Sequence, residues 1–349
     1  MAGLRYVVIG NGVAGMEAAL ALRRRDAEAR ITLVSDEHDH FFSRPALMYV
    51  LCGQLRLQDT EPYDRGLYGR MRFERVRGHV QGVDMAGKTL RFEDGRSLAY
   101  DRLLIAAGSV GREAPWPGAA GPGLHCFVTL RDLEGLDADA RRGGRAVVVG
   151  GGLIGVEVAE ILHHRGLHVS FVIRENWYFP LALDSRESRL VADHMRERGI
   201  DVRLGVNVDE IVRGDDGRIR GVKVGPDVIE CDLVAAAIGV VPNTAFLRGS
   251  GLALSRGGAV EVDDALKAGA PDVWAAGDCA NVTWADGTRR PEQLWYTARD
   301  QGRAAALSML GDEVRYRRGT WYNSAKFFDI EWTTAGWVPV LLNWDNTPL

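Results

Sequence analysis

Arg5-Tyr6-Val7-Val8-Ile9-Gly10-Asn11-Gly12-Val13-Ala14-Gly15 is the stretch from which the fold is read. Residues 5–9 form a short, mainly apolar run rich in β-branched side chains, the pattern of a strand buried on both faces of a parallel sheet. Gly10, Gly12 and Gly15 follow at G-x-G-x-x-G spacing, and residues 16–25 are rich in Ala and Leu with no Gly or Pro, which predicts a helix. Residues 31–34 read as a second strand, closed by the acids Asp36 and Glu37. The first glycine of such a turn permits the tight bend, the second lets backbone approach a pyrophosphate, and the third lets the helix pack against the strand. Unpaired N–H groups and the helix dipole at Val13 and Ala14 then favour an anion. Asp36 stands 21 residues after Gly15, where an acid accepts hydrogen bonds from a ribose. Strand, turn, helix, strand and acid in this order predict dinucleotide binding.

The same order recurs. Residues 146–149 are a strand pattern, Gly150-Gly151-Gly152-Leu153-Ile154-Gly155 is the turn, 156–165 the helix and 169–173 the next strand. Here the acid is missing: Ile173 takes its place and Arg174 and Glu175 follow. A carboxylate there suits the free 2′-hydroxyl of NADH, an arginine the 2′-phosphate of NADPH. Arg174 favours NADPH; a Glu175 turned inward would favour NADH, and a solvated Arg174 would favour neither. Between the turns, 73–99 alternates strand-like stretches with turn signals and predicts an antiparallel meander. Residues 103–107 and 232–238 are buried strands ending in Gly108 and Gly239, and the Pro/Gly-dense run 115–123 marks a domain boundary. The expected fold is α/β: two Rossmann-like three-layer nucleotide-binding domains plus a short C-terminal α+β segment.

Composition narrows the function. The 349 residues are 46% hydrophobic and 26% charged, and 43 Lys+Arg against 47 Asp+Glu give a net charge of −4. No basic excess exists for binding nucleic-acid phosphates. No apolar run of ~18 residues predicts a transmembrane helix, and the N-terminus lacks a signal-peptide layout. Cys52, Cys126, Cys231 and Cys279 are far apart, with neither zinc spacing nor a disulfide framework, which fits a reducing cytoplasm. His163 and His164 are adjacent and point to different helix faces, and no metal centre is expected from them or from His38, His40 and His168.

Three further stretches carry a resemblance. They are Phe42-Ser43-Arg44-Pro45-Ala46-Leu47, Tyr100-Asp101-Arg102-Leu103-Leu104-Ile105-Ala106-Ala107-Gly108-Ser109, and Val273-Trp274-Ala275-Ala276-Gly277-Asp278-Cys279. With the two glycine turns, residues 4–311 resemble the two-dinucleotide-binding-domain flavoproteins of the pyridine nucleotide–disulfide reductase superfamily. The similarity is closest to the ferredoxin/rubredoxin-reductase and nitrite-reductase-like NAD(P)H branch. It implies that the first turn, with Gly10, Gly12, Val13, Ala14 and Gly15, holds FAD. Asp36, Glu37, Arg44, Pro45, Val80, Ala107, Gly108 and Arg112 would belong to the same FAD site, with Ala107 where threonine is usual. Gly277 and Asp278 would hold the ribityl chain, and Trp295 would start a helix aimed at the flavin. The second turn, with Gly150, Gly152, Leu153, Ile154 and Gly155, would hold NAD(P)H together with Arg174 and Gly239. The implied domains are 1–114 with 243–311 for FAD, 115–242 for NAD(P)H, and 312–349 as a shortened interface segment.

The resemblance also implies a reaction. Hydride passes from NAD(P)H to flavin N5, and electrons then pass to an external acceptor: a small iron–sulfur protein, a quinone-like molecule, oxygen or a dedicated substrate. In relatives a glutamate at Glu157 helps place the nicotinamide; a helix-surface acid is the alternative. Many relatives carry a lysine where this chain has Tyr49, so the usual Lys–Glu pair is altered, and Tyr49 and Glu157 are the catalytic candidates. The region 41–47 has no thiol and Cys52 is offset, so a dithiol relay is not expected. Two other readings stay open: an FAD oxidase with a degenerate nicotinamide site, and a non-catalytic flavoprotein subunit. Residues 322–329 resemble the start of the third domain of relatives, usually ~100 residues. That domain is here either shortened or completed by a partner. Residues 335–344 are apolar enough to dock, and a homodimer or partner-subunit contact is expected there.

Overall fold

In the computed structural model, residues 3–180 and 182–336 are described; Trp337 and most of the apolar stretch 335–344 lie outside the described residues. The chain divides into two units. One comprises Met1–Pro45, Arg56–Val110 and Val241–Gly319; the other comprises Ala46–Leu55, Gly111–Val240 and Thr320–Leu349.

In the first unit, Arg5–Ile9 is the middle strand of a parallel sheet ordered Val273–Ala275, Arg102–Ile105, Arg5–Ile9, Arg30–Ser35, Phe73–Arg77. Val7 pairs with Leu103 on one side and Thr32 on the other. Tyr6, Val7, Val8, Leu103, Leu104 and Ile105 are buried, so the central strands show no polar alternation. The helices Val13–Arg25 and Trp295–Leu310 pack on each other so closely that a Cβ on Gly302 would lie 2.2 Å from the Ala14 carbonyl oxygen. The sheet's parallel sense sets Gly10, Asp36, Gly108 and Gly277 along one edge, beyond the carboxyl ends of their strands. Open α/β sheets bind ligands along that edge.

The expected meander at 73–99 is only partly right. Phe73–Arg77 is the parallel edge strand of the main sheet, and the antiparallel sheet consists of Val80–Asp84, Thr89–Phe92 and Ser97–Ala99. The long crossover from Ser35 to Phe73 permits the parallel return, and Phe73 is buried in the sheet's core.

The second unit repeats the plan. Its parallel sheet runs Asp201–Leu204, His168–Ile173, Arg145–Val149, Leu233–Ala236, Leu124–His125. Helix Leu153–His164 follows the middle strand. Helices Leu130–Ala140 and Ser185–Glu197 start on reciprocal capping boxes, Thr129 with Asp132 and Asp184 with Glu187. Strands Tyr322–Phe327 and Ile330–Ala335 form a hairpin with Ala325 opposite Trp332. No helix among the described residues is long and apolar enough to cross a membrane.

Candidate dinucleotide-binding sites

The two glycine turns have the same internal logic. Gly10 and Gly150 adopt φ of +111° and +120°, and a Cβ on either would lie 2.0 or 2.2 Å from the carbonyl oxygens of Ala106 and Ala237 respectively. A Cβ on Gly15 or Gly155 would lie 2.0 Å from the carbonyl oxygen of Gly10 or Gly150. These four glycines are demanded by the protein's own backbone. The middle glycines differ: Gly12 and Gly152 have ordinary φ of −88° and −95°, and a Cβ on either would meet nothing within 4 Å. Neither helix has a side-chain N-cap. Open space in front of uncapped N–H groups is what an approaching pyrophosphate requires. Val13 and Ala14, and Leu153 and Ile154, form the first turns behind that space.

In the first unit Asn11, inside the turn, donates through Nδ2 to the Asp39 carbonyl at 3.2 Å. The buried Tyr68 hydroxyl donates to Asn11 Oδ1 at 3.1 Å and accepts from the Phe41 N–H at 2.7 Å. Tyr68 thereby ties the turn to the segment that follows Asp36 and Glu37. Asp36 meets His79 Nδ1 at 2.7 Å, just ahead of the buried Val80, and Glu37 meets Arg44 at 2.7 Å beside Pro45. Ala107 and Gly108 follow strand Arg102–Ile105, and the Ala107 and Gly108 carbonyls accept from Asn243 Nδ2 and N–H. Neither Tyr68 nor His79 is signalled by spacing in the sequence.

Gly277 and Asp278 end the outermost strand. The Gly277 N–H donates to Gln301 Oε1 at 2.8 Å, and the Ser109 hydroxyl donates to Asp278 Oδ2 at 2.8 Å. Burial raises the Asp278 pKa, while the Ser109 hydrogen bond and the Arg44 charge oppose that rise. Trp295 begins its helix, and its indole N–H is buried with no hydrogen-bond partner among the described residues. A buried carboxyl and an orphaned indole N–H fit a polar cofactor. The first-unit residues therefore fit FAD.

In the second unit Gly150, Arg174 and Gly239 follow the ends of adjacent parallel strands. Arg174 is 76% exposed and pairs with Glu175 at 2.8 Å. Arg112, assigned by resemblance to FAD, lies in this unit, and its N–H donates to the Gly239 carbonyl at 3.0 Å. Glu157 sits in the helix after the turn, where burial and then the nearby Glu160 push its pKa up to about 7. Burial also raises Glu160, which accepts the Phe328 N–H. Tyr49 lies on the short helix Leu47–Leu51, which packs against helix Leu153–His164. Lys326, paired with Glu331 at 2.9 Å, has Tyr49 and Glu160 close enough to add to the stabilisation of its charge. The hairpin thus brings a cation near Tyr49.

All four cysteines are free. Burial raises every thiol pKa, to about 11 at Cys279 and about 12 at Cys231, so none is primed as a thiolate. Ligand atoms of His38, His40 and Glu61 come within 4.8 Å of one another. Arg75 contacts His40 Nε2 at 2.9 Å and Arg65 binds Glu61 at 2.8 Å. Two guanidinium groups on the ligand atoms oppose a cation.

Residues 4–302 match the pyridine nucleotide-disulphide oxidoreductase family. The chain is 30% identical over 335 residues to the 5,5'-dehydrodivanillate O-demethylase ferredoxin reductase subunit of Sphingobium sp. (strain NBRC 103272 / SYK-6), covering 95% of this chain and 81% of that one. It is 32% identical over 334 residues to rhodocoxin reductase of Rhodococcus erythropolis, covering 93% and 76%. Among solved structures, the covalent putidaredoxin reductase–putidaredoxin complex matches with a TM-score of 0.87 at 25% identity, covering 97% of this chain and 82% of that one. Two dinucleotide turns, free unactivated cysteines and these likenesses agree: the chain belongs to the pyridine nucleotide-disulphide oxidoreductase family and is an FAD-dependent oxidoreductase that takes hydride from NAD(P)H and passes electrons to an external acceptor without a redox-active disulfide.

Proposed function

We propose that this chain is an NADPH-preferring reductase of a small iron–sulfur protein, working in the cytoplasm. The observation that carries the reading is the pair of turns whose middle glycines face open space, one followed by the strand that ends before Asp36 and the other by the strand that ends before Arg174. On this reading 1–114 with 243–311 hold FAD, 115–242 hold the nicotinamide nucleotide, and 312–349 form an interface. The flavin, when bound, supplies hydride acceptance and onward electron transfer. The chain's residues do the rest. The uncapped helix starts at Val13 and Leu153 hold pyrophosphates. Asp36 and Glu37 accept from the adenosine ribose of FAD, and Asp278 from the ribityl chain. Glu157, kept neutral up to about pH 7 by burial, borders the nicotinamide, with Tyr49 and Lys326 on its flank. A ferredoxin reductase subunit and rhodocoxin reductase among the relatives support an iron–sulfur acceptor. So does the solved reductase complex with putidaredoxin.

The test is anaerobic mixing of the yellow protein with NADH and with NADPH, followed at about 450 nm. Rapid bleaching, faster with NADPH, is the expected result; a flavin that stays oxidised with both donors removes the reductase reading. Arg174 is the donor-selecting residue. Its guanidinium, exposed and held among the described residues by the neighbouring Glu175, would trade that partner for a 2′-phosphate. Arg174→Ala is expected to raise the NADPH KM about tenfold, the loss of one charge-assisted pair, and to leave the NADH KM unchanged. Equal effects on both donors would remove the NADPH preference.

A further inference from the structure

Asp278 and Ser109 are 169 residues apart in sequence and meet at the ligand edge of the first unit's sheet. Ser109 begins the segment beyond strand Arg102–Ile105, and Asp278 follows the neighbouring strand Val273–Ala275. The Ser109 hydroxyl has one proton, and it goes to Asp278 Oδ2 at 2.8 Å. That bond orients the carboxyl group at the ligand edge. We propose that Ser109 is a positioning residue for FAD: its hydrogen bond orients the Asp278 carboxyl toward the ligand, and so sets the acid limit of flavin retention. The inference rests on the reading of Asp278 as an FAD residue.

The electrostatics follow from the surroundings. Burial raises the Asp278 pKa; the Ser109 hydroxyl, then the Arg44 guanidinium and the Asp278 backbone, act the other way. Arg44 divides its charge with Glu37 at 2.7 Å. The adjoining Cys279 is a buried thiol with a pKa of about 11, and is neutral throughout the working range. The helix Trp295–Leu310 presents the uncharged Gln301 to Gly277. Among the described residues Ser109 is the side chain that donates a hydrogen bond to the Asp278 carboxyl, which its own backbone also helps to hold. A protonated Asp278 loses acceptor strength toward a ligand hydroxyl. Flavin retention then falls as pH drops through the Asp278 pKa, and removing the Ser109 donor raises that pKa.

The experiment is gel filtration of the holoprotein across a pH series, with the retained flavin read by absorbance. Wild type, Ser109→Ala, Ser109→Thr, Asp278→Asn and the double variant Ser109→Ala with Asp278→Asn are compared. Ser109→Ala should move the midpoint of flavin loss up by about one pH unit, the size of one hydrogen bond to a charged group. Ser109→Thr should restore the wild-type midpoint, because it keeps the hydroxyl. In the Asp278→Asn background, Ser109→Ala should add no shift, the signature of two residues acting through one interaction. A midpoint unmoved by Ser109→Ala, or a shift of equal size in the Asp278→Asn background, overturns the positioning role. If Asp278→Asn instead retains flavin like wild type at every pH, the assignment of Asp278 to FAD fails, an outcome distinct from failure of Ser109 alone. Should Ser109→Ala misfold, Ser109→Cys, isosteric but a weak donor, should show an intermediate shift.

Discussion

Gly152→Ala is expected to give a folded, yellow protein whose NAD(P)H affinity is lower by about two orders of magnitude, whereas Gly155→Ala, three residues on, is expected to destabilise its unit. The two substitutions add the same methyl group in the same turn. At Gly152 the backbone is ordinary and the new Cβ meets no protein atom within 4 Å, so folding costs little. The methyl occupies the space through which a pyrophosphate must reach the N–H groups ahead of Leu153, and binding bears the whole cost. At Gly155 the Cβ lies 2.0 Å from the Gly150 carbonyl oxygen and 3.2 Å from the Phe171 ring. Relief would separate the helix from the strand it packs on, in a core where Phe171 is fully buried. Overpacking of that kind costs about 3 kcal/mol or more. Titration of flavin quenching with NADPH reads the first effect, and thermal unfolding the second. A Gly152→Ala protein that loses its flavin while still binding NADPH would reverse the assignment of the two turns.

That split is a finding of the structure. Sequence spacing marks three glycines in each turn and predicts the element order around them, because each requirement is local: a positive φ at Gly10, a helix crossing a strand at Gly15. Asp278 is singled out by the resemblance of residues 273–279, a contiguous stretch of sequence. Its partner Ser109 is not, since the contact depends on two strands being neighbours in the sheet. Tyr68 and His79 are hidden in the same way, 57 and 43 residues from the groups they hold. Lys326 is hidden further. It reaches the neighbourhood of Tyr49 only because the hairpin Tyr322–Phe327/Ile330–Ala335 packs on helix Leu153–His164. There Asp329 binds His194 at 2.6 Å and Arg198 at 2.7 Å. Phe73–Arg77 was misread because a five-residue strand carries no mark of whether its partner runs parallel.

Glu157→Gln is expected to stabilise the protein at pH 8 by about 1–3 kcal/mol and to leave stability near pH 5 almost unchanged. The sign follows from the proton balance. The folded-state pKa is about 7 against an ordinary value of 4.5, so the folded chain holds a proton that the unfolded chain gives up. Below 4.5 both states are protonated and the residue is neutral in effect. As pH rises to about 7 the unfolded carboxylate ionises freely while the folded one resists, and stability falls; above 7 the loss is complete. Glutamine keeps the shape and removes the titration, so its advantage grows between pH 5 and 7 and then levels off. The gain at pH 8 should appear as a rise of several degrees in Tm for a protein of this size. Stopped-flow bleaching with NADPH supplies a second reading. If the neutral carboxyl is what borders the nicotinamide, the wild-type rate should titrate near pH 7 and the Glu157→Gln rate should be flat over the same range. Stability curves that run parallel for the two proteins would show that Glu157 is ionised at neutral pH. The raised proton affinity, and with it the part given to Glu157 at the nicotinamide, would then be wrong.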